Sequence, residues 1–133
     1  MDECAEAEGI PDDVSPVVTG AWSNIESPGD YVRFHMHPWS VFSGVYYLKC
    51  DDRSGDIFLV DPRPGAGALY WPTNEVAERG AINFEPRPGL LLLFPSWLEH
   101  YTDPNGSEEE RVCISFNTHF GKGSGQAQQW DLT

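Results

Sequence analysis

Three imidazoles and one guanidinium carry the chemistry this sequence offers. In Tyr31-Val32-Arg33-Phe34-His35-Met36-His37-Pro38-Trp39-Ser40, His35 and His37 stand two residues apart where an extended, aromatic-rich run breaks at a proline. Residues i and i+2 of a strand point to the same side, so both rings can converge on one metal ion. His100 lies far along the chain, in Phe94-Pro95-Ser96-Trp97-Leu98-Glu99-His100-Tyr101, and Arg111 follows it in a further β-like run. The chain holds four histidines, of which His119 reads as an ordinary surface or core residue. A His-x-His followed by an independent histidine segment is the pattern of a metal site with His35, His37 and His100 as ligands.

Arg111 opens the run Arg111-Val112-Cys113-Ile114-Ser115-Phe116-Asn117, which alternates cleanly. Val112, Ile114 and Phe116 fall on one face, and Arg111, Cys113, Ser115 and Asn117 on the other. An arbitrary arginine here would sit on the surface and answer the Glu108-Glu109-Glu110 turn, since arginine is seldom fully buried. Ser115 on the same face and His100 upstream argue instead for a cation inside a site.

The elements that must position these residues are short and β-like. Apolar runs rich in Val, Ile, Phe, Tyr and Trp are cut by turn clusters such as Ser27-Pro28-Gly29-Asp30, Asp51-Asp52-Arg53-Ser54-Gly55 and Asp103-Pro104-Asn105-Gly106. Strands are predicted around 21–25, 31–35, 41–49, 57–60, 81–84, 90–94 and 111–118, with one or two helical turns at 74–79. Thirteen glycines and eleven prolines suit the corners of an all-β sandwich or barrel. The 133 residues fit one domain. Residues 1–16 read as an acidic N-terminal segment, 17–120 as the β domain, and 121–133 as a flexible tail opened by Gly121-Lys122-Gly123-Ser124-Gly125. Asp61-Pro62-Arg63-Pro64 reads as a rigid turn, or as a loop near the mouth of the site.

A net charge of -13 opposes binding of nucleic acid or anionic lipid. Three cysteines without paired spacing suit a reducing compartment, and the acidic N-terminus lacks the apolar stretch of a signal peptide. The longest aliphatic run, 90–94, is too short to span a bilayer. A cytoplasmic location follows as the expectation.

The segments Phe34-His35-Met36-His37-Pro38, Ser43-Gly44-Val45-Tyr46-Tyr47-Leu48, Asp61-Pro62-Arg63-Pro64, Arg87-Pro88-Gly89-Leu90, Leu93-Phe94-Pro95-Ser96-Trp97-Leu98-Glu99-His100 and Glu110-Arg111-Val112-Cys113-Ile114-Ser115-Phe116-Asn117 together resemble a 2-oxoglutarate Fe(II) oxygenase family of bacteria and their phages. The resemblance runs from about Trp22 to Asn117. It implies a double-stranded β-helix (a cupin-like jelly roll) with little helical cover, in which His35 ends one strand, His37 lies just beyond it and His100 sits on a later strand. It further implies that these three bind Fe(II), with His37 where the wider superfamily usually has aspartate. Arg111 would then pair with the distal carboxylate of the co-substrate 2-oxoglutarate through two parallel charge-assisted bonds. Ser115 would add a hydroxyl, and Tyr47 matches the tyrosine that reaches this carboxylate in the related prolyl hydroxylases, with Tyr46 facing the other way.

The function implied is a non-haem iron dioxygenase that couples oxidative decarboxylation of 2-oxoglutarate to succinate with hydroxylation of a small molecule or a protein side chain. Two other readings fit the residues: a cupin-like three-histidine metalloprotein, dioxygenase or zinc site, that uses no 2-oxoglutarate, and a non-catalytic binding module. A homodimer through an uncovered sheet face is a further expectation.

Overall fold

The computed structural model describes Ala7, Gly9 and residues 14–65 and 80–122. Seven strands follow in chain order: β1 (Val14–Glu26), β2 (Phe42–Lys49), β3 (Ile57–Val60), β4 (Ala81–Phe84), β5 (Leu91–Pro95), β6 (His100–Thr102) and β7 (Arg111–Lys122). They form two antiparallel sheets, a larger one in the order β1-β7-β2-β5 and a smaller one in the order β4-β3-β6. This is the expected all-β jelly roll, and the elements formed among the described residues are all strands. Among the described residues no helix is long and apolar enough to cross a membrane.

Alternation explains which residues meet between the sheets. β7 sits between β1 and β2, and its register places Glu26 opposite Arg111, Asn24 and Tyr47 opposite Cys113, Trp22 and Val45 opposite Ser115, and Ser43 opposite Asn117. Every second residue of these strands faces inward, so the row that carries Arg111, Cys113, Ser115 and Asn117 lies over the interior. Val45, Tyr47, Ile57, Phe94 and Cys113 form the buried core, with Leu59, Leu90, Leu92 and Leu98 packed against it. Tyr46 points to the opposite face and is 38% exposed, whereas Tyr47 is 2% exposed.

Two expectations change. The strand at 31–35 is reduced to a single bridge between His35 and His100, whose backbones exchange two hydrogen bonds of 3.0 and 2.9 Å. Its ladder is interrupted because the Arg33 carbonyl is taken by the His35 ring at 2.7 Å and the Val32 N–H donates to the Thr102 hydroxyl at 2.9 Å. β6 bears out the later strand that the resemblance implied for His100, though residue pattern alone did not mark it: three residues are too few for a period-2 pattern to show. The outer strands are also longer than predicted, with β1 starting at Val14 and β7 running through Gly121 to Lys122. Their mutual register continues to the pair Val14 and Lys122, so each strand end supplies the other's backbone partners. The helical turns expected at 74–79 lie outside the described residues.

Candidate metal and co-substrate site

His100 sits on β6 and is 5% exposed, and the bridge to its backbone brings His35 alongside. Two residues on, the His37 N–H donates to the Ser96 carbonyl at 3.0 Å, which keeps the chain extended while Met36 turns out to solvent. The same-side geometry expected of His-x-His is therefore kept without a regular strand. The His35 ring lies 5.0 Å from His37 and 4.2 Å from His100, and His37 lies 5.1 Å from His100. One nitrogen from each ring falls within 4.8 Å of the others, and among the described residues this is the one group of three His, Cys, Asp or Glu so placed.

Neighbouring groups suit the rings to a metal. His35 Nδ1 lies 2.7 Å from the Arg33 carbonyl and His100 Nδ1 lies 2.9 Å from the Leu98 carbonyl. A carbonyl only accepts, so each Nδ1 carries the proton and each Nε2 keeps a free lone pair. His37 Nδ1 is 3.4 Å from the Asn117 side-chain amide, which is held in turn by Ser43 Oγ at 2.8 Å, with Ser96 Oγ 2.7 Å beyond. As placed, the amide nitrogen faces His37 and its oxygen accepts from Ser43; exchanging the two still satisfies the serine hydroxyls and gives His37 Nδ1 an acceptor, which frees Nε2 there too.

Burial lowers the His100 pKa to about 4, with smaller contributions from the other two histidines. His37 is also lowered, first by burial and then by His35. Neutral imidazoles are the form that ligates, and three of them suit a borderline divalent ion such as ferrous iron or zinc.

After His37 the chain reverses at Pro38-Trp39, where Trp39 has φ 69° and is 88% exposed. A left-handed backbone costs a non-glycine residue roughly 1–2 kcal/mol. The turn thus places an exposed indole, on a strained backbone, two residues after His37.

These histidines share a cavity of about 230 Å³ with Arg111, Ser115, Tyr47, Thr102, Glu26, Asn24, Trp22 and Cys113. That is below the usual range of about 300–1,000 Å³ for drug-sized ligands, so the cavity suits a small ligand rather than a large one. Burial holds the Tyr47 pKa well above the ordinary phenol value, so the hydroxyl stays protonated as a donor in the wall. Ser115 Oγ accepts from Asn24 Nδ2 at 2.8 Å.

Arg111 is 1% exposed and does not answer the glutamate turn, where Lys49 pairs with Glu109 instead. Its Nε donates to Glu26 Oε2 at 2.7 Å, Nη1 donates to the carbonyls of Ser54 and Gly55, and Nη2 donates to Thr102 Oγ1 at 3.0 Å. The expected bidentate fork is thus already engaged within the protein. Gly55 makes this cradle possible: it has φ 79°, and a Cβ there would lie 2.6 Å from the Pro104 carbonyl. Thr102 stands two residues beyond His100 on β6, a rise of about 6.6 Å, which sets the guanidinium within reach of a short chain anchored near the histidines.

Sequence reasoning missed Glu26, Asn24, Thr102 and the part Asn117 plays. Thr102 was open to discovery from its i+2 relation to His100, whereas Glu26 and Asn24 are fixed only by the pairing of β1 with β7. Neither Asp61 nor Glu99 joins the cluster as a carboxylate ligand in place of His37. Asp61 pairs with Arg63 across a tight turn, which brings its pKa down to about 2.

Comparison with known proteins places this arrangement. No curated protein sequence matches the chain. Among solved structures, an oxidoreductase of the 2OG-Fe(II) oxygenase family from Burkholderia pseudomallei superposes with a TM-score of 0.61 at 16% identity, over 79% of this chain and 45% of that one. A Pseudomonas putida prolyl-4-hydroxylase gives 0.53 at 20% identity, over 73% and 50%. A non-heme monooxygenase solved as a nickel complex gives 0.60 at 11% identity, over 94% and 52%. The chain spans about half the length of these structures, and likeness at such identities shows the fold. Residues 20–117 match the family described as "Putative 2OG-Fe(II) oxygenase", and the chain belongs to that family.

Proposed function

We propose that the protein is an Fe(II)- and 2-oxoglutarate-dependent oxygenase that couples decarboxylation of 2-oxoglutarate to succinate with hydroxylation of a substrate not identified by the site. The observation that carries this reading is the convergence of His35, His37 and His100 on one wall of a small cavity that also holds Arg111. Iron held by the three histidines would supply dioxygen activation. The chain's own residues do the rest. Carbonyl and amide partners orient the rings, Tyr47 and Ser115 offer hydroxyls to a carboxylate, and the apolar wall of Val45, Ile57 and Phe94 limits water.

The test is anaerobic titration with Fe(II) and then 2-oxoglutarate, followed by admission of oxygen. A visible charge-transfer band and slow succinate release are expected. No band at saturating 2-oxoglutarate would refute the reading.

A second reading, a three-histidine metalloprotein that uses no 2-oxoglutarate, is favoured by one specific observation: Arg111 is neutralised by Glu26. It predicts ferrous or zinc binding with no spectral response to 2-oxo acids.

A further inference from the structure

We infer that Glu26 is a specificity-determining residue that competes with the far end of an incoming 2-oxo acid for Arg111. The inference rests on the proposed reading that a 2-oxo acid binds at the histidines. A guanidinium has five N–H donors. Four of those on Arg111 are engaged by Glu26 Oε2, Ser54 O, Gly55 O and Thr102 Oγ1. A dicarboxylic 2-oxo acid therefore finds one free N–H where a bidentate partner needs two.

The second carboxylate oxygen of Glu26 sharpens the conflict. Oε1 is buried and has no hydrogen-bond partner, and Glu26 lines the same cavity as Arg111 and the histidines. An ionised carboxylate only accepts. A second carboxylate brought to the same guanidinium supplies no donor to Oε1 and adds like charge in a poorly solvated space. A methyl or amide at that position meets no such penalty, and an amide supplies the missing donor. Glu26 thus reduces the advantage that a distal carboxylate would otherwise hold over a neutral end of the same length.

The experiment measures, by calorimetry on the anaerobic Fe(II) protein, the affinities of 2-oxoglutarate and 2-oxopentanoate for the parent and for Glu26→Gln. The glutamine keeps the shape, still accepts from Arg111 Nε, and turns the internal anion into a neutral donor. The parent should separate the two acids by less than tenfold. Glu26→Gln should bind 2-oxoglutarate at least tenfold more tightly, with 2-oxopentanoate changed less than threefold. A parental preference above a hundredfold for 2-oxoglutarate overturns the inference without need of any variant. So does a Glu26→Gln protein that binds 2-oxoglutarate no better than the parent. Failure of the underlying reading looks different: neither acid then perturbs the visible spectrum of the ferrous site in either protein.

Discussion

On the histidine side of the cavity, ring nitrogens face one another while their backs are held by the Arg33 and Leu98 carbonyls and the Asn117 amide. On the arginine side, four donors of one guanidinium are already spent on the protein itself. The first wall is arranged for something yet to arrive, and the second is closed on itself. A metal site must leave lone pairs free, whereas a buried cation must be neutralised if the sheet around it is to fold. The two sides should therefore respond to mutation in different currencies: metal affinity on one and folding stability on the other.

The largest effect is expected on the arginine side. Arg111→Ala leaves Glu26 as an unpaired buried carboxylate and should lower the unfolding free energy by about 3–5 kcal/mol. Replacing both residues by methionine should cost less than Arg111→Ala alone. Urea unfolding of the parent and both variants checks this, and a double variant that loses as much as Arg111→Ala or more would show that the pair is not a unit. On the histidine side, Asn117→Ala should leave stability near parental and weaken ferrous binding by about 10–100-fold, as loss of a ligand's supporting hydrogen bond does. Ferrous titration beside a urea curve separates the two readouts.

Acid sharpens the same contrast. Burial holds the His100 pKa near 4 in the folded protein, below the unfolded reference of about 6.5. Between those values the unfolded chain binds the extra proton, so the stability tied to neutral His100 is whole above pH 6.5. It drains away as pH falls toward 4. Metal-free His100→Gln should show a flatter decline across that window than the parent, and equal slopes would argue against a buried neutral ring. The smallest effect is at the turn after His37: Trp39→Gly should stabilise the metal-free protein by roughly 1 kcal/mol through relief of its left-handed backbone. An unchanged or lowered unfolding midpoint would show that the indole's contacts offset the strain.

Legibility in the sequence divides along the same line. His35 and His37 announce themselves because their spacing of two already matches the period of an extended chain, even though the local strand shrinks to one bridge. Alternation in the run from Arg111 to Asn117 also survives into the structure, because β7 is central and both its edges are paired. What the sequence hides is pairing across distance. Glu26 and Arg111 are brought together by the β1–β7 register, a product of packing over the whole sheet, and no local motif marks it. Reading Arg111 as free to fork onto a ligand was for that reason incomplete: its burial was foreseen, its internal partner was not.

The most direct test concerns the three-imidazole ligand set. Ferrous affinity should be measured for the parent, for His35→Ala, His37→Ala and His100→Ala, and for Asp61→Asn and Glu99→Gln. Each histidine variant should lose iron by more than a hundredfold, while both carboxylate variants keep parental affinity. A His37→Ala protein with parental affinity, together with loss of iron in either carboxylate variant, would contradict the account and hand the third position to an acid.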